Sequence, residues 1–388
     1  MSRILVDQIR SNSASSDAIT LADNGTCTAN ITNNLSNRNK VINGAMTISQ
    51  RGTTFSPAGT NQIYTLDRFQ HVATSGVSWD ATVTQDSSAP DGFLKSYKVT
   101  PDATDTPTGG GNAVIRYKIE GQDLQDLAYG TSSAKSITIS FYAKTASANS
   151  GDQYTLCLFY FRSDGTGKTV TVAFTPTSTW QRFSFTFAGD TDATYGMRNS
   201  TDMGISIQWV LASGPNDIQS AMSTWTVDGT YFRGVTGQDN FNDNTSNEFY
   251  LTGVQLEVGS VATDFEHRSL AVEKRLCMRY YQQYSNIMMV GYAPDNSNKT
   301  YSHAFTFPVE MRSAPTLTIS NTGSTAGQYI TDGQFTKTVT SLLDAGCSTT
   351  FAEIYFNISG DLTNYNGAYA LGANSTSYQT TYYFTAEL

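Results

Sequence analysis

Charge is the scarcest resource in this sequence. Only 15% of its 388 residues are Asp, Glu, Lys or Arg, against roughly a quarter in ordinary soluble domains. The balance is acidic, with 33 Asp and Glu against 24 Lys and Arg, and the basic residues form no cluster. A nucleic-acid interface needs a basic face to displace counterions from phosphates. Nucleic acid is therefore not an expected partner, and an anionic membrane surface is disfavoured for the same reason. No apolar run reaches the roughly 18 residues that span a bilayer, and the opening MSRILVDQIRSNSAS lacks the apolar stretch of a secretory signal. The expectation is synthesis in the cytoplasm and no membrane insertion.

Cysteine and histidine are nearly as scarce. Cys27, Cys157, Cys277 and Cys347 lie far apart and form no CxxC pair, so neither a disulfide framework nor a zinc site is expected. Buried, reduced thiols are. The histidines, His71, His267 and His303, stand alone and match no metal-ligand spacing, and no GxSxG elbow offers a serine nucleophile. Asp164-Gly165-Thr166-Gly167-Lys168-Thr169 imitates the end of a phosphate-binding loop. The first glycine of that motif would fall at Arg162, and the loop runs into a strand-like TVTVAF instead of a helix, so a hairpin turn is expected. Asp190 and Asp192 are weak candidates for Ca²⁺, although acidic loop residues are more often simply solvated. No catalytic residue, metal centre or cofactor is indicated, and the chain is not expected to be an enzyme. Sequons at Asn30, Asn34, Asn244, Asn298, Asn357 and Asn374 are read as a product of composition.

Aromatics are plentiful, with 22 Tyr and 20 Phe, and Ser, Thr, Asn and Gly fill much of the rest. That mixture suits pleated surfaces and tight turns. Period-2 alternation marks strands at Ser136–Lys144, Tyr154–Arg162, Thr169–Phe174, Trp180–Phe187, Gly204–Leu211 and Glu248–Val258. It resumes at Tyr301–Phe307, Thr316–Ser320, Phe351–Ile358 and Tyr378–Glu387. Between the two groups, residues 264–284 read as a helix, with Leu270, Cys277, Tyr281 and Tyr284 at helical spacing. Its narrow stripe fits a connector packed on its copies about a symmetry axis and, equally, a cap on its own domain. Residues 1–38 are short, polar and broken by Asn24-Gly25, and should order on another subunit or a docking partner.

The expected fold is all-β. An extended attachment arm (1–38) precedes a jelly-roll β-sandwich (39–265), a single connecting helix (266–284) and a smaller C-terminal β domain (285–388). Sugar stacking is the one surface chemistry that the aromatics offer. Trp180 and Trp209 lie in apolar strands and are expected in the core. Trp225, Tyr231 and Phe232, in the Gly/Asp/Asn-rich stretch 213–247, and Trp79 are the carbohydrate-contact candidates, because binding residues collect on loops of rigid scaffolds.

Several stretches carry a resemblance. Asn39–Gly52 (NKVINGAMTISQRG) followed by Tyr64–Phe69 (YTLDRF) resembles the opening of a family of phage tail and tail-fibre proteins. The likeness continues at Ser140–Lys144, Thr179–Phe183, Leu251–Gly259 (LTGVQLEVG), Ala262–Arg268 (ATDFEHR), Leu276–Tyr281 (LCMRYY), Phe307–Thr316 (FPVEMRSAPT) and Phe384–Leu388 (FTAEL). These pieces run in the family's order from residue 39 to 388. The resemblance implies a jelly roll similar to carbohydrate-binding modules, a connecting helix and a small C-terminal β domain, displayed as a homotrimer. It implies structural motifs, with Gln255, Glu257 and Arg51 bonding strand ends, and supplies no catalytic residues. Three functions follow as expectations. The first is a virion tail-fibre or receptor-binding subunit that meets phage tail or capsid proteins through residues 1–38 and host cell-surface polysaccharide through the sandwich. The second is a purely structural head fibre, decoration or tail spacer protein. The third, with no recognisable acid/base pair, is a glycan-degrading tail protein.

Overall fold

The structure, a computed structural model, describes residues 6–10, 12, 19–21, 27–29, 37–229, 232–285, 289–292, 299–302, 305–322, 329–331, 336–358, 368–371 and 379–388. The fold is all-β, as composition and alternation indicate. Six antiparallel strands form one sheet in the order Gln181–Phe187, Ile137–Thr145, Phe249–Val258, Ser96–Pro101, Ala81–Asp86, Thr54–Phe55. Seven form the other, in the order Thr226–Val227, Gly167–Phe174, Tyr154–Phe161, Met203–Ser213, Asn112–Glu120, Phe69–Ala73, Gln62–Tyr64. Inward residues of the two sheets meet in one core, as in a jelly-roll sandwich. Ile137, Ile139, Phe141 and Ala143 from one side face Ile205, Ile207, Trp209 and Leu211 from the other. Trp209 stands edge-on to Phe141 at 5.6 Å, a favoured aromatic geometry.

The Asp164–Lys168 stretch is the hairpin turn that its sequence suggests, with Gly165 in the left-handed region at φ +85° and the flanking strands paired. An earlier glycine does more for the sandwich. Gly44 lies against the backbone of the strand Phe249–Val258, where the Val254 N–H donates to the Gly44 carbonyl (2.9 Å). A Cβ on Gly44 would collide with the Val254 carbonyl oxygen, which is backbone and has nowhere to rotate. Gly44→Ala is therefore expected to cost about 1–3 kcal/mol or more through forced backbone movement, read as a lowered midpoint in denaturant. An unchanged midpoint would remove this account of the glycine.

Two expectations need correction here. The helix is Leu270–Met278, capped by the Ser269 hydroxyl, which accepts from the Val272 N–H at 3.4 Å. It is shorter than 266–284 because Tyr281–Ser285 is a strand, paired with Gln379–Thr385. Its buried positions are Glu273 and Cys277, while Leu270 is 63% exposed, so the stripe is not the apolar one expected. Glu273 is buried because it accepts from the Asn43 N–H (2.8 Å) and from Arg268 Nη1 (3.1 Å).

The C-terminal strands build two further sheets. Tyr281–Ser285, Gln379–Thr385 and Thr316–Thr322 form a three-stranded one. In the other, Lys299–Ser302 pairs with both Met289–Tyr292 and Phe351–Ile358, which closes the sheet on itself. At the N-terminal end Gln8–Ile9, Ile19–Leu21 and Cys27–Ala29 make a small antiparallel sheet. Asn30, Asn34, Asn298, Asn374 and His303 lie outside the described residues. Cys157 and Cys277 are buried free thiols, and Cys347 is partly buried. Burial pushes the Cys157 thiol up to about 12.

Candidate functional site: the ionic junction and the outer sheet face

Motifs scattered over more than 300 residues meet where the sandwich joins the C-terminal sheets. Arg68, 1% exposed, lies over the Tyr280 ring with its guanidinium carbon 3.4 Å from the centroid. It pairs with Glu387 and donates from Nη2 to the Lys118 carbonyl at 2.7 Å. Its backbone sits in the left-handed region at φ +74°, which costs a non-glycine residue energy that the fixed surroundings must supply. Arg51 approaches the same carboxylate (Nη2 to Glu387 Oε1, 3.0 Å) and stacks on Tyr281 at 3.7 Å.

Buried Asp67 accepts from the Gln50 N–H (2.8 Å) and Nε2 (2.5 Å). Burial raises its carboxyl above the usual range, against the opposing pull of Arg51. On the far side Glu120 accepts from Arg279 Nε and Nη2, each at 2.8 Å, and from the Tyr280 hydroxyl at 2.6 Å. Arg312 donates to the carbonyls of Ala386 (2.7 Å), Glu387 (2.9 Å) and Thr201 (3.1 Å). Such charges persist in an interior only when each is paired and hydrogen-bonded.

Gln255 and Glu257 bond the segment that leaves the end of their own strand, Phe249–Val258. Gln255 Nε2 donates to Glu257 Oε1 (2.9 Å), its Oε1 accepts from the Glu266 N–H (2.8 Å), and Glu257 Oε1 accepts from the Thr263 N–H (2.9 Å). Arg51, Arg68, Arg279, Arg312 and Glu387 thus join the C-terminal sheets to the sandwich, and Gln255 and Glu257 hold the segment that follows their own strand.

The carbohydrate-contact candidates fare differently. Trp79 is fully buried and stacks on His71 at 3.8 Å between centroids. Its ring belongs to the core because it fills space beside Phe241, 6.3 Å away. Phe232 is also buried, packed with Val72, Val114, Cys157 and Val210 and beneath Arg116. The stretch 213–247 is not a free loop: part of it folds over the outer face of the seven-stranded sheet, where Phe232 packs on Val210 and the Val235 N–H donates to the Thr155 hydroxyl at 2.8 Å. Trp225 is half-buried and committed, since its Nε1–H donates to the Ala188 carbonyl (2.9 Å) and its ring meets Tyr129 and Tyr160 edge-on. Tyr231 lies outside the described residues.

The calcium candidates are likewise spent. Lys168 Nζ lies 2.7 Å from Asp190 Oδ2 and 2.9 Å from Asp192 Oδ2, and Arg162 Nη1 is 3.3 Å from Asp192. An ammonium occupies the place a cation would take. Among the described residues no group of three metal-ligating side chains comes together.

The one tryptophan with an uncommitted surface is Trp180, expected in the core and found elsewhere. Phe183, Phe185 and Phe187 turn toward the core, so the even-numbered residues of that segment face outward. Trp180 is partly exposed at the edge of the six-stranded sheet. Beside it, Lys144, Tyr250 and Lys98 stand opposite one another on three successive strands. Lys144 Nζ lies 4.3 Å from the Tyr250 centroid and 5.5 Å from that of Trp180, and the two rings meet at 6.1 Å and 73°. Lys98 pairs with Glu248 at 2.6 Å, and the Tyr250 hydroxyl donates to Glu248 at 2.8 Å. Partial burial pushes the Glu248 carboxyl up, but these bonds hold it below the usual range. Alternation could have found this row: Lys144 and Tyr250 sit at outward positions of strands that the sequence already marks.

No protein-family model matches the chain, and no curated protein matches it in sequence. Solved structures do. An enzymatically active domain of bacteriophage CBA120 tailspike protein 4 aligns over 57% of the chain at 12% identity with a TM-score of 0.29. That alignment takes in only 21% of the tailspike chain. The CBM22-1 xylan-binding domain from Paenibacillus barcinonensis aligns over 54% of this chain and 94% of its own, at 11% identity and 0.27. A family 11 carbohydrate-binding module of a Clostridium thermocellum cellulosomal cellulase aligns over 58% and 96%, at 15% identity and 0.26. At such scores no residue role passes from these proteins to this chain.

Proposed function

We propose that the protein is a structural subunit of a phage particle, non-catalytic, that docks through its N-terminal segment and presents its sandwich to host surface glycans. The observation that carries this reading is the ionic junction. The stretches resembling phage tail proteins are spread from residue 39 to 388, yet Asn43, Arg51, Arg68, Gln255, Arg268, Arg279 and Glu387 from them meet in a chain of polar contacts linked through Glu266, Glu273, Asp67, Tyr280 and Glu120. A chain that spends its rare charges on holding two β units rigidly together is suited to a displayed appendage. Association as a homotrimer would multiply weak sugar contacts by effective concentration.

Two experiments test the two halves. Antibody labelling of intact particles should place the protein on the tail or a fibre, and purified protein should bind host cells or their extracted polysaccharide. Failure of both binding assays would sink the adhesive half. The burial of Trp79 and Phe232 and the commitment of Trp225 favour a second reading, a purely structural head fibre, decoration or tail spacer protein. Labelling on the capsid or tail tube, with no cell binding, would select it. Release of reducing sugar from host polysaccharide would instead revive a glycan-degrading role.

A further inference from the structure

We infer that the row Trp180–Lys144–Tyr250–Lys98 on the outer face of the six-stranded sheet is a binding site for an acidic polysaccharide, one bearing carboxylates such as uronates. The inference deepens the glycan-binding reading and rests on it. The row crosses three neighbouring strands and ends at Trp180, just before the first residue of a fourth, a span of about 14 Å at roughly 4.8 Å per strand, which suits an oligosaccharide better than a single sugar.

Lys144 sets the ligand's charge. Its ammonium has three N–H donors and lies against the two aromatic faces; it also feels the Glu248 carboxylate at longer range, but among the described residues it makes no ion pair or hydrogen bond. Lys98, by contrast, is neutralised by Glu248 at 2.6 Å. The row therefore carries one uncompensated positive charge on a protein whose net charge is −9. Rings on both sides hold the ammonium in place and exclude part of its water, so an incoming carboxylate finds donors already positioned. A charge-assisted hydrogen bond of this kind is about twice as strong as one to a neutral hydroxyl. Trp180 supplies the partly exposed ring against which a sugar face can stack, and the Glu248 carboxylate can accept from a sugar hydroxyl at the other end.

The test uses the full chain with polygalacturonate, its carboxyl-reduced derivative and host cells, by calorimetric titration and cell binding at low salt. Wild type should bind the uronate polymer about tenfold or more tightly than the reduced one, as expected for a charge-assisted contact. Lys144→Gln should abolish that preference and Lys144→Arg keep it, with unchanged melting temperatures. Trp180→Ala should weaken binding of both polymers. Equal affinity for the two polymers, no binding of either, or indifference to both substitutions overturns the site. Host-cell binding that survives Lys144→Gln and Trp180→Ala overturns the site alone, whereas no host binding by wild type overturns the function on which it rests.

Discussion

Glu387→Ala should uncouple the C-terminal sheets from the sandwich at a cost of about 3–5 kcal/mol, the usual penalty for stranding a buried charge. Two guanidinium groups converge on that carboxylate. Arg68, all but inaccessible, would keep only its Lys118 carbonyl and the faces of Tyr280 and Tyr117. Arg51 would be left to Tyr281, Tyr64 and the distant Asp67 oxygen at 3.9 Å. Calorimetry should show one cooperative unfolding transition in the wild type and a lower, separated transition in the variant. The double replacement Arg68→Met with Glu387→Met should recover much of the loss, because removing both charges also removes their desolvation cost. A single transition unmoved by Glu387→Ala would mean that the junction does not couple the two parts.

Acid should destabilise the sandwich through His71, with an effect of similar size. The imidazole is fully buried against Trp79, and its Nε2 lies 3.2 Å from the Trp79 carbonyl. Nδ1 has no partner among the described residues. Burial lowers its pKa to about 3, against the opposing effect of the hydrogen bond to the Trp79 carbonyl. The folded state thus stays unprotonated while an unfolded histidine takes up a proton below its ordinary pKa of about 6.5. Stability is full above that value and is lost as the pH falls from there toward 3, by about 4–5 kcal/mol at the limit. His71→Phe keeps a flat ring on Trp79 and should flatten the acid limb of a stability–pH curve over that window. An identical acid limb in the variant would assign the effect to other groups.

Strand positions were the legible part of this sequence, because a half-buried strand writes its burial directly into alternation. Phe351–Ile358 falls where the pattern puts it, and the strands over 137–145, 154–161 and 203–213 differ from expectation by a residue or two at their ends. Where two periods fit the same few residues, the sequence misled. Tyr281 and Tyr284 sit at helical spacing from Cys277, yet they belong to a strand whose partner, Gln379–Thr385, lies about 100 residues downstream. Local spacing carries no trace of that partner. The aromatics failed for a related reason: Phe232 is in a polar, glycine-rich stretch, but the stretch folds back over a sheet. Trp180 was misplaced by one step of parity, since three phenylalanines claim the inner face. The junction was foreshadowed only by Arg51, Gln255 and Glu257. Nothing local announces that Arg68 and Glu387, more than 300 positions apart, share a salt bridge.

The adhesive role is tested most directly by competition. Purified protein, added in excess to host cells before the phage, should occupy the surface glycan and slow particle adsorption in a dose-dependent way, and the Trp180→Ala protein should compete less well. Adsorption that proceeds at the same rate at every protein concentration, with protein demonstrably folded, would contradict the account and leave the chain a scaffold of the particle alone.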